Sequence, residues 1–348
     1  MDVGAFRTGL AQSSLPQVPS QVIRNLEAGK QQTLVAFGTS LTAGGAWVGL
    51  LDAYLKARYP GLAMVFNEGA SGHSSKYGLT LMKNVTRHAP DAVFIEFSMN
   101  DAYYPAQNGF TEGVPADSSL INLARIIDSI KAVNPACEII PQTMDLPLGI
   151  HLQRRPKIAA YYAGYRAFSR TAKLTLADHE PNWRAIAGFD TGFYLSWLPD
   201  SIHPNAEASA AITFPGVLSV LTGARIQVTS PLPSAVYPPG SDIVIAAAVT
   251  TPVTRVDFYQ GKTRIGTDST APYGFTWKGA AAGKYLVMAR LVQQETAVAV
   301  SLGVPITIKA VTGITGAKKF RKGSGRCEGG RLPASPDFWL GRKTAPGR

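Results

Sequence analysis

The sequence predicts an α/β chain in two parts, a three-layer α/β/α sandwich on a parallel central sheet followed by a small all-β sandwich. Three observations predict it. Over residues 31–223, short apolar runs alternate with helix-length amphipathic segments. From Arg225 to Lys309 the texture changes to short alternating strands split by Pro and Gly turns. The chain has 348 residues, 45% hydrophobic and 16% charged, enough for one large and one small folded domain.

Residues 1–30 read as a polar lead-in, with "QVIRNLEAGK" (21–30) as a first helix. "TLVAFG" (33–38), "AMVFNEG" (63–69), "AVFIEFS" (92–98) and "EIIPQTM" (138–144) are strand-length and bounded by Gly, Pro or Asn. Between them, residues 46–60, 76–90 and 118–135 read as helices. The last carries Leu120, Leu123, Ile126, Ile127 and Ile130 on one stripe, a spacing that faces a sheet. Further helical stretches over 156–180 and 206–223 complete this part. Parallel strands joined by right-handed crossovers place helices on both faces and chemistry beyond the carboxyl ends of the strands. Residues 225–310, with "RVDFYQG", "YGFTW" and "KYLVMARLV", have the size and patterning of an immunoglobulin-like sandwich. Residues 311–348 show no period and little to bury, which predicts a disordered tail.

The formal charge of +11 invites a nucleic-acid reading, but its distribution does not support one. Residues 317–348 hold nine Lys or Arg against Glu328 and Asp337, a net +7. The remainder is unremarkable, so no nucleic-acid partner is expected. No run approaches the ~18 apolar residues of a membrane span. Cys137 and Cys327 lack a nearby Cys or His at ligand spacing, so neither a zinc site nor a disulfide framework is expected, and no cofactor is expected. The first residues lack a basic segment followed by an apolar one. That leaves cytoplasmic residence, a start downstream of a true signal, or a trimmed N-terminus.

Ser40, in "VAFGTSLTAGG" (35–45), ends the first strand and opens a helix; alone it reads as a capping or turn residue. Other residue types join it at strand ends. "NEGASGHSS" (67–75) carries Gly69 and Gly72, "FSMND" (97–101) carries Asn100, and "LPDSIHPN" (198–205) places Asp200 three residues before His203. Serine needs an adjacent base to attack a carbonyl; His203 would take its proton and Asp200 would orient the ring. The N–H groups of Ser40 and Gly72 and the amide of Asn100 are candidate donors to an oxyanion.

These blocks, "GTSLT", "NEGASG", "SMND" and "DSIH", occur in the order found in the SGNH (GDSL-type) hydrolases, which the chain resembles over residues 31–222. The resemblance implies a flavodoxin-like three-layer fold and a serine esterase with catalytic Ser40, Asp200 and His203 and an oxyanion hole of Ser40, Gly72 and Asn100. Thr39 stands where the family's name-giving Asp sits, and Ser98 replaces a glycine common before the Asn. His73 reads as a surface-loop histidine and Asp101 as a support for the loop carrying Asn100. Tyr103 and Tyr104 either line an acyl or sugar subsite or fill a loop core. Arg154 and Arg155 read as solvated, and His88, His151 and His179 lack a carboxylate at the spacing of Asp200.

The β segments resemble bacterial Ig-like repeats appended to secreted carbohydrate-active enzymes. That resemblance implies a spacer or a polysaccharide- or surface-associating module, and export from the cell. The expected substrate is a small ester or an acetylated carbohydrate. Thioesterase or lysophospholipase activity, or non-catalytic glycan binding, are the alternatives. A histidine base works only when neutral, so kcat/KM is expected to decline toward acid pH.

Overall fold

The computed structural model describes residues 18–104 and 113–310. Helix α1 (Gln21–Glu27) is followed by β1 (Gln32–Gly38), α2 (Ser40–Ala43), α3 (Ala46–Arg58) and β2 (Ala63–Asn67). Next come α4 (Ser75–Gly78), α5 (Met82–Thr86), β3 (Ala92–Glu96), α6 (Ser98–Asp101), α7 (Ala116–Val133) and β4 (Glu138–Thr143). Then follow α8 (Gly149–Gln153), α9 (Ile158–Thr171), β5 (Ala177–Asp178), α10 (Glu180–Phe189), α11 (Thr191–Trp197), α12 (Ala206–Ala208) and α13 (Phe214–Thr222).

The five strands form a parallel sheet in the order β2-β1-β3-β4-β5. Every residue of β1 and β3 is buried, as expected of central parallel strands covered on both faces. Side chains alternate across the sheet. Leu34 and Ala36 pack with α1, α3 and α13, whereas Val35 and Phe37 join Leu123, Ile126 and Ile130 of α7 and Tyr165 of α9. Leu120 and Ile127 lie partly buried against that second cluster, so the stripe read in the sequence faces the sheet. The strand order reverses at β1, which opens a crevice beyond the carboxyl ends of β1 and β3. Ser40 follows β1, and Asn100 follows β3.

Two predicted helices differ in the structure. The stretch 76–90 is broken into α4, a 3-10 turn over Leu79–Leu81, and α5. Gly78 is a poor helix residue, and the Thr80 hydroxyl donates to the Tyr77 carbonyl in competition with the backbone. The stretch 156–180 ends as a helix at Thr171, and Ala177 then pairs with Gln142 as β5. Arg166 of α9 grips Asp178 through Nε and Nη2, both at 2.7 Å, which fixes that return. The 206–223 stretch is helical as far as Thr222, with a π-helical turn over Ser209–Thr213 between α12 and α13 and Gly223 as the C-cap.

The all-β part comprises β6 (Ile226–Ser230), β7 (Val236–Tyr237), β8 (Ile243–Val249), β9 (Arg255–Gln260), β10 (Thr263–Asp268), β11 (Gly274–Trp277), β12 (Gly283–Gln293), β13 (Thr296–Val300) and β14 (Val304–Ile308). One sheet runs β10-β9-β12-β14-β7, with β13 also paired to β12, and faces a second sheet, β11-β8-β6. Its core is continuous with that of the first part: Val217, Leu218 and Leu221 of α13 cluster with Ile226, Ile243 and Val298. A second seam buries Leu286 and Met288 of β12 against Trp183, Tyr194 and Trp197. The basic run and Cys327 lie outside the described residues, as does most of the lead-in.

Candidate active site

At the end of β1 the chain must turn within one residue. Gly38 allows it, since a Cβ there would meet Glu96 Oε1 at 2.5 Å and Thr42 Oγ1 at 2.6 Å. Thr39 then caps α2, its hydroxyl accepting from the Leu41 N–H, and Ser40 becomes the first residue of the helix. A first-turn N–H has no acceptor within its own helix. Ser40 therefore both opens the helix and presents its hydroxyl, half-buried, at the sheet edge.

Ser40 Oγ lies 2.8 Å from His203 Nε2, and His203 Nδ1 lies 2.6 Å from Asp200 Oδ2. Asp200 Oδ1 accepts the N–H groups of His203 (2.8 Å) and Ile202 (3.1 Å), so one carboxylate holds both the ring and the turn carrying it. Burial raises the Asp200 carboxyl, but these bonds outweigh it and hold the pKa below the ordinary value, leaving an anion beside the imidazole. Both side chains are open to solvent, Asp200 by 52% and His203 by 44%. A cavity of about 230 Å³ opens beside Ser40 and His203, lined also by Ser71, Trp47, Met144 and Thr213.

The loop after β2 is tied to this turn. Ala70 N–H donates to Gly38 O, and the Asn67 amide donates to Thr42 O and Ala43 O. Gly72 takes a φ of +77°, left-handed backbone that glycine adopts without strain. The next residue, His73, stacks on Tyr77 at 3.7 Å between ring centroids, and its carbonyl accepts Asn100 Nδ2 at 3.0 Å. Gly72 and Asn100 are thus brought to one loop junction. Asp101 is buried and accepts from Ser75 N–H (2.7 Å) and Ser119 Oγ (2.6 Å), bonding α6 to α4 and α7. Burial drives its pKa up to about 6 despite those bonds.

Of the aromatic pair beyond Asn100, Tyr104 is 63% exposed and Tyr103 faces the Arg155 guanidinium at 5.3 Å. Arg155, read from sequence as solvated, is instead 6% exposed. It is held by backbone and amide oxygens contributed by α6 and α8. Among the other histidines, His88 bonds Glu68 at 2.8 Å and stacks on Phe66, and buried His179 reaches Gln142 at 3.2 Å. His151 has its pKa lowered by burial and by Arg155. Among the described residues, no group of three or more His, Cys, Asp or Glu is placed to hold a metal ion, and no helix is long and apolar enough to cross a membrane.

Glu96 carries no role in the sequence reading, yet it sits fully buried beneath the turn. It accepts Thr39 N–H (2.6 Å), Thr39 Oγ1 (2.9 Å) and Thr42 Oγ1 (2.9 Å). A charged residue inside the apolar run "AVFIEFS" is the signal that marks it. Thr39 suits this partner, because an Asp in its place would set two carboxylates face to face. Burial raises the Glu96 pKa from 4.5 to about 7, against the three donations. An acid whose pKa is raised on folding contributes stability that is present below 4.5 and lost as pH rises through about 7. Stability of wild type relative to Glu96→Gln is therefore expected to fall by roughly 3 kcal/mol between pH 4 and 8. Urea melts of both proteins across that range check it, and parallel pH profiles would refute it.

A parallel sheet with serine, histidine and aspartate hydrogen-bonded in series beyond its switch point has the architecture of an α/β acyl hydrolase. The pattern of the GDSL-like Lipase/Acylhydrolase family matches residues 36–211, and that of the Bacterial Ig domain matches residues 225–289. The chain belongs to the GDSL-like lipase/acylhydrolase family, the SGNH hydrolases, and is an ester hydrolase with a C-terminal Ig-like module.

Among solved structures, a catalytic mutant of Axe2, an acetylxylan esterase from Geobacillus stearothermophilus, is similar at 20% identity, covering 56% of this chain and 95% of that one, TM-score 0.47. TesA is similar at 24% identity over 55% of this chain and 98% of its own, TM-score 0.43. The fibronectin(III)-like modules of Clostridium thermocellum CbhA are 36% identical over 25% of this chain and 97% of their own, TM-score 0.24. No curated protein matches the chain.

Proposed function

We propose that the protein is a serine esterase in which Ser40 attacks the ester carbonyl, His203 takes the Ser40 proton and passes it to the leaving alcohol, and Asp200 holds the ring. The observation that carries this reading is the continuous bonding from Ser40 Oγ to His203 to Asp200, at 2.8 and 2.6 Å. The oxyanion is met by the N–H groups of Ser40 and Gly72 and by Asn100 Nδ2. Water then attacks the acyl-Ser40 ester with His203 again as base, releasing the acid.

The substrate is a short-chain ester, with an O-acetylated carbohydrate preferred. The cavity of about 230 Å³ beside Ser40 is smaller than the roughly 300–1,000 Å³ of drug-sized pockets, which favours a short acyl group over a long chain. The half-exposed Asp200–His203 pair leaves the alcohol side open to a bulky group such as a sugar chain. The bacterial Ig-like module fits an exported enzyme acting on polysaccharide.

Diethyl p-nitrophenyl phosphate is expected to phosphorylate Ser40, releasing p-nitrophenolate and abolishing activity. Mass spectrometry of the peptide carrying Ser40 reads it; a label elsewhere, or none, removes the nucleophile assignment. Acetyl esters, including acetylated xylan, are expected to turn over faster than octanoyl esters. A preference for octanoyl groups would return the thioesterase or lysophospholipase reading.

A further inference from the structure

Arg155 is a buried cation whose hydrogen-bond partners among the described residues are neutral oxygens. Nε donates to Met99 O at 2.7 Å, Nη2 to Asn100 Oδ1 at 3.2 Å, and Nη1 to His151 O at 3.4 Å. The carboxyl group that acts on its charge without bonding it is Asp145, which is fully buried and raised well above the ordinary carboxyl range, mainly by burial. Burying a cation without a carboxylate bonded to it opposes folding. Such an arrangement is better explained by what the charge does to its neighbour than by stability.

That neighbour is Asn100. A carboxamide turned by 180° about its last bond exchanges a donor for an acceptor, and only one of the two orientations can serve an oxyanion. Here Oδ1 accepts a hydrogen bond from Arg155 Nη2 while Nδ2 donates to the His73 carbonyl at the junction with Gly72. The flipped amide would set its NH₂ against the guanidinium and its oxygen against the His73 carbonyl, two repulsive contacts in place of two bonds. The bond on Oδ1 also draws electron density from the amide nitrogen, which strengthens Nδ2–H as a donor.

We propose that Arg155 is a positioning residue of the esterase: it locks the Asn100 carboxamide with Oδ1 on the guanidinium and Nδ2 on the His73 side, where the N–H that does not bond His73 O serves the reacting carbonyl, and it holds α6 through Met99 O. The proposal rests on the reading of Asn100 as an oxyanion donor.

The test is a double-mutant cycle in the full chain, with p-nitrophenyl acetate as substrate and variants Arg155→Met, Asn100→Ala and the pair. Loss of one oxyanion donor lowers kcat by about 10²–10³-fold. Arg155→Met is expected to lower kcat by roughly 10²-fold with KM within about threefold, and to add less than about threefold once Asn100 is alanine. Arg155→Lys keeps the cation but cannot fork onto Met99 O and Asn100 Oδ1 together; it is expected to recover about tenfold of the loss. It also keeps the proposal testable if the methionine variant does not fold. If Asn100→Ala lowers kcat and the arginine variants do not, or if the losses multiply, the positioning role is overturned. If Asn100→Ala keeps wild-type kcat, the oxyanion reading fails and the proposal fails with it.

Discussion

Ser40→Ala is expected to lower kcat for p-nitrophenyl acetate by about 10⁴–10⁶-fold while leaving KM near its wild-type value. In the proposed mechanism the Ser40 hydroxyl oxygen forms the acyl bond, and no second serine or cysteine is bonded to His203 among the described residues. His203→Ala is expected to cost as much as Ser40→Ala, and the double variant no more than either, because the pair acts as one unit. Asp200→Asn, which keeps the shape but reverses the tautomer that the ring is asked to adopt, is expected to cost about 10⁴-fold. Steady-state rates on the purified variants decide this. A Ser40→Ala protein retaining a tenth of wild-type kcat would remove Ser40 from the chemistry.

The second large effect concerns stability. Leu286→Ala, on β12, is expected to destabilise the whole protein by about 2–5 kcal/mol, the range for deleting a fully buried leucine. Leu286 belongs to the Ig-like module, yet its neighbours in the core include Trp183, Tyr194 and Trp197 of α10 and α11. The same seam carries Lys262, which bonds Glu207 at 2.8 Å and lies over the Trp197 ring at 5.7 Å. Trp197 precedes the Asp200–His203 turn, and its carbonyl accepts the Asn205 N–H just beyond that turn. The module therefore braces the segment that bears the histidine. Calorimetry is expected to show one transition that shifts as a unit in Leu286→Ala. Two transitions, with only one shifted, would mean that the seam does not couple the halves.

How much of this was legible depends on how local each interaction is. β1 and β3 could be read because a strand buried on both faces is a continuous apolar run bounded by glycine, serine or asparagine. The Asp200–His203 bond spans three residues of one turn, so its geometry follows from spacing. β5 could not be read that way: it is two residues long, and Arg166 reaching back across twelve positions fixes it. The burial of Arg155 is not legible in the sequence, because a charge in a loop normally faces water and its partners Met99 and Asn100 lie 56 and 55 residues away. Glu96 stands within a legible strand, but nothing local to it shows that the turn after the neighbouring β1 lays Thr39 and Thr42 over its carboxylate. The docking of β12 on α10 and α11 is likewise tertiary; alternation in "KYLVMARLV" marks a buried strand without saying what buries it.

The connection between the two parts is three residues, Gly223 to Arg225, from the end of α13 to the start of β6. Fully extended, three residues span at most about 11 Å, and here both flanks are already packed into one core. The Ig-like module is thus a ruler rather than a leash: any point on its surface stands at one separation from Ser40, set by the shared core and not by the swing of a tether.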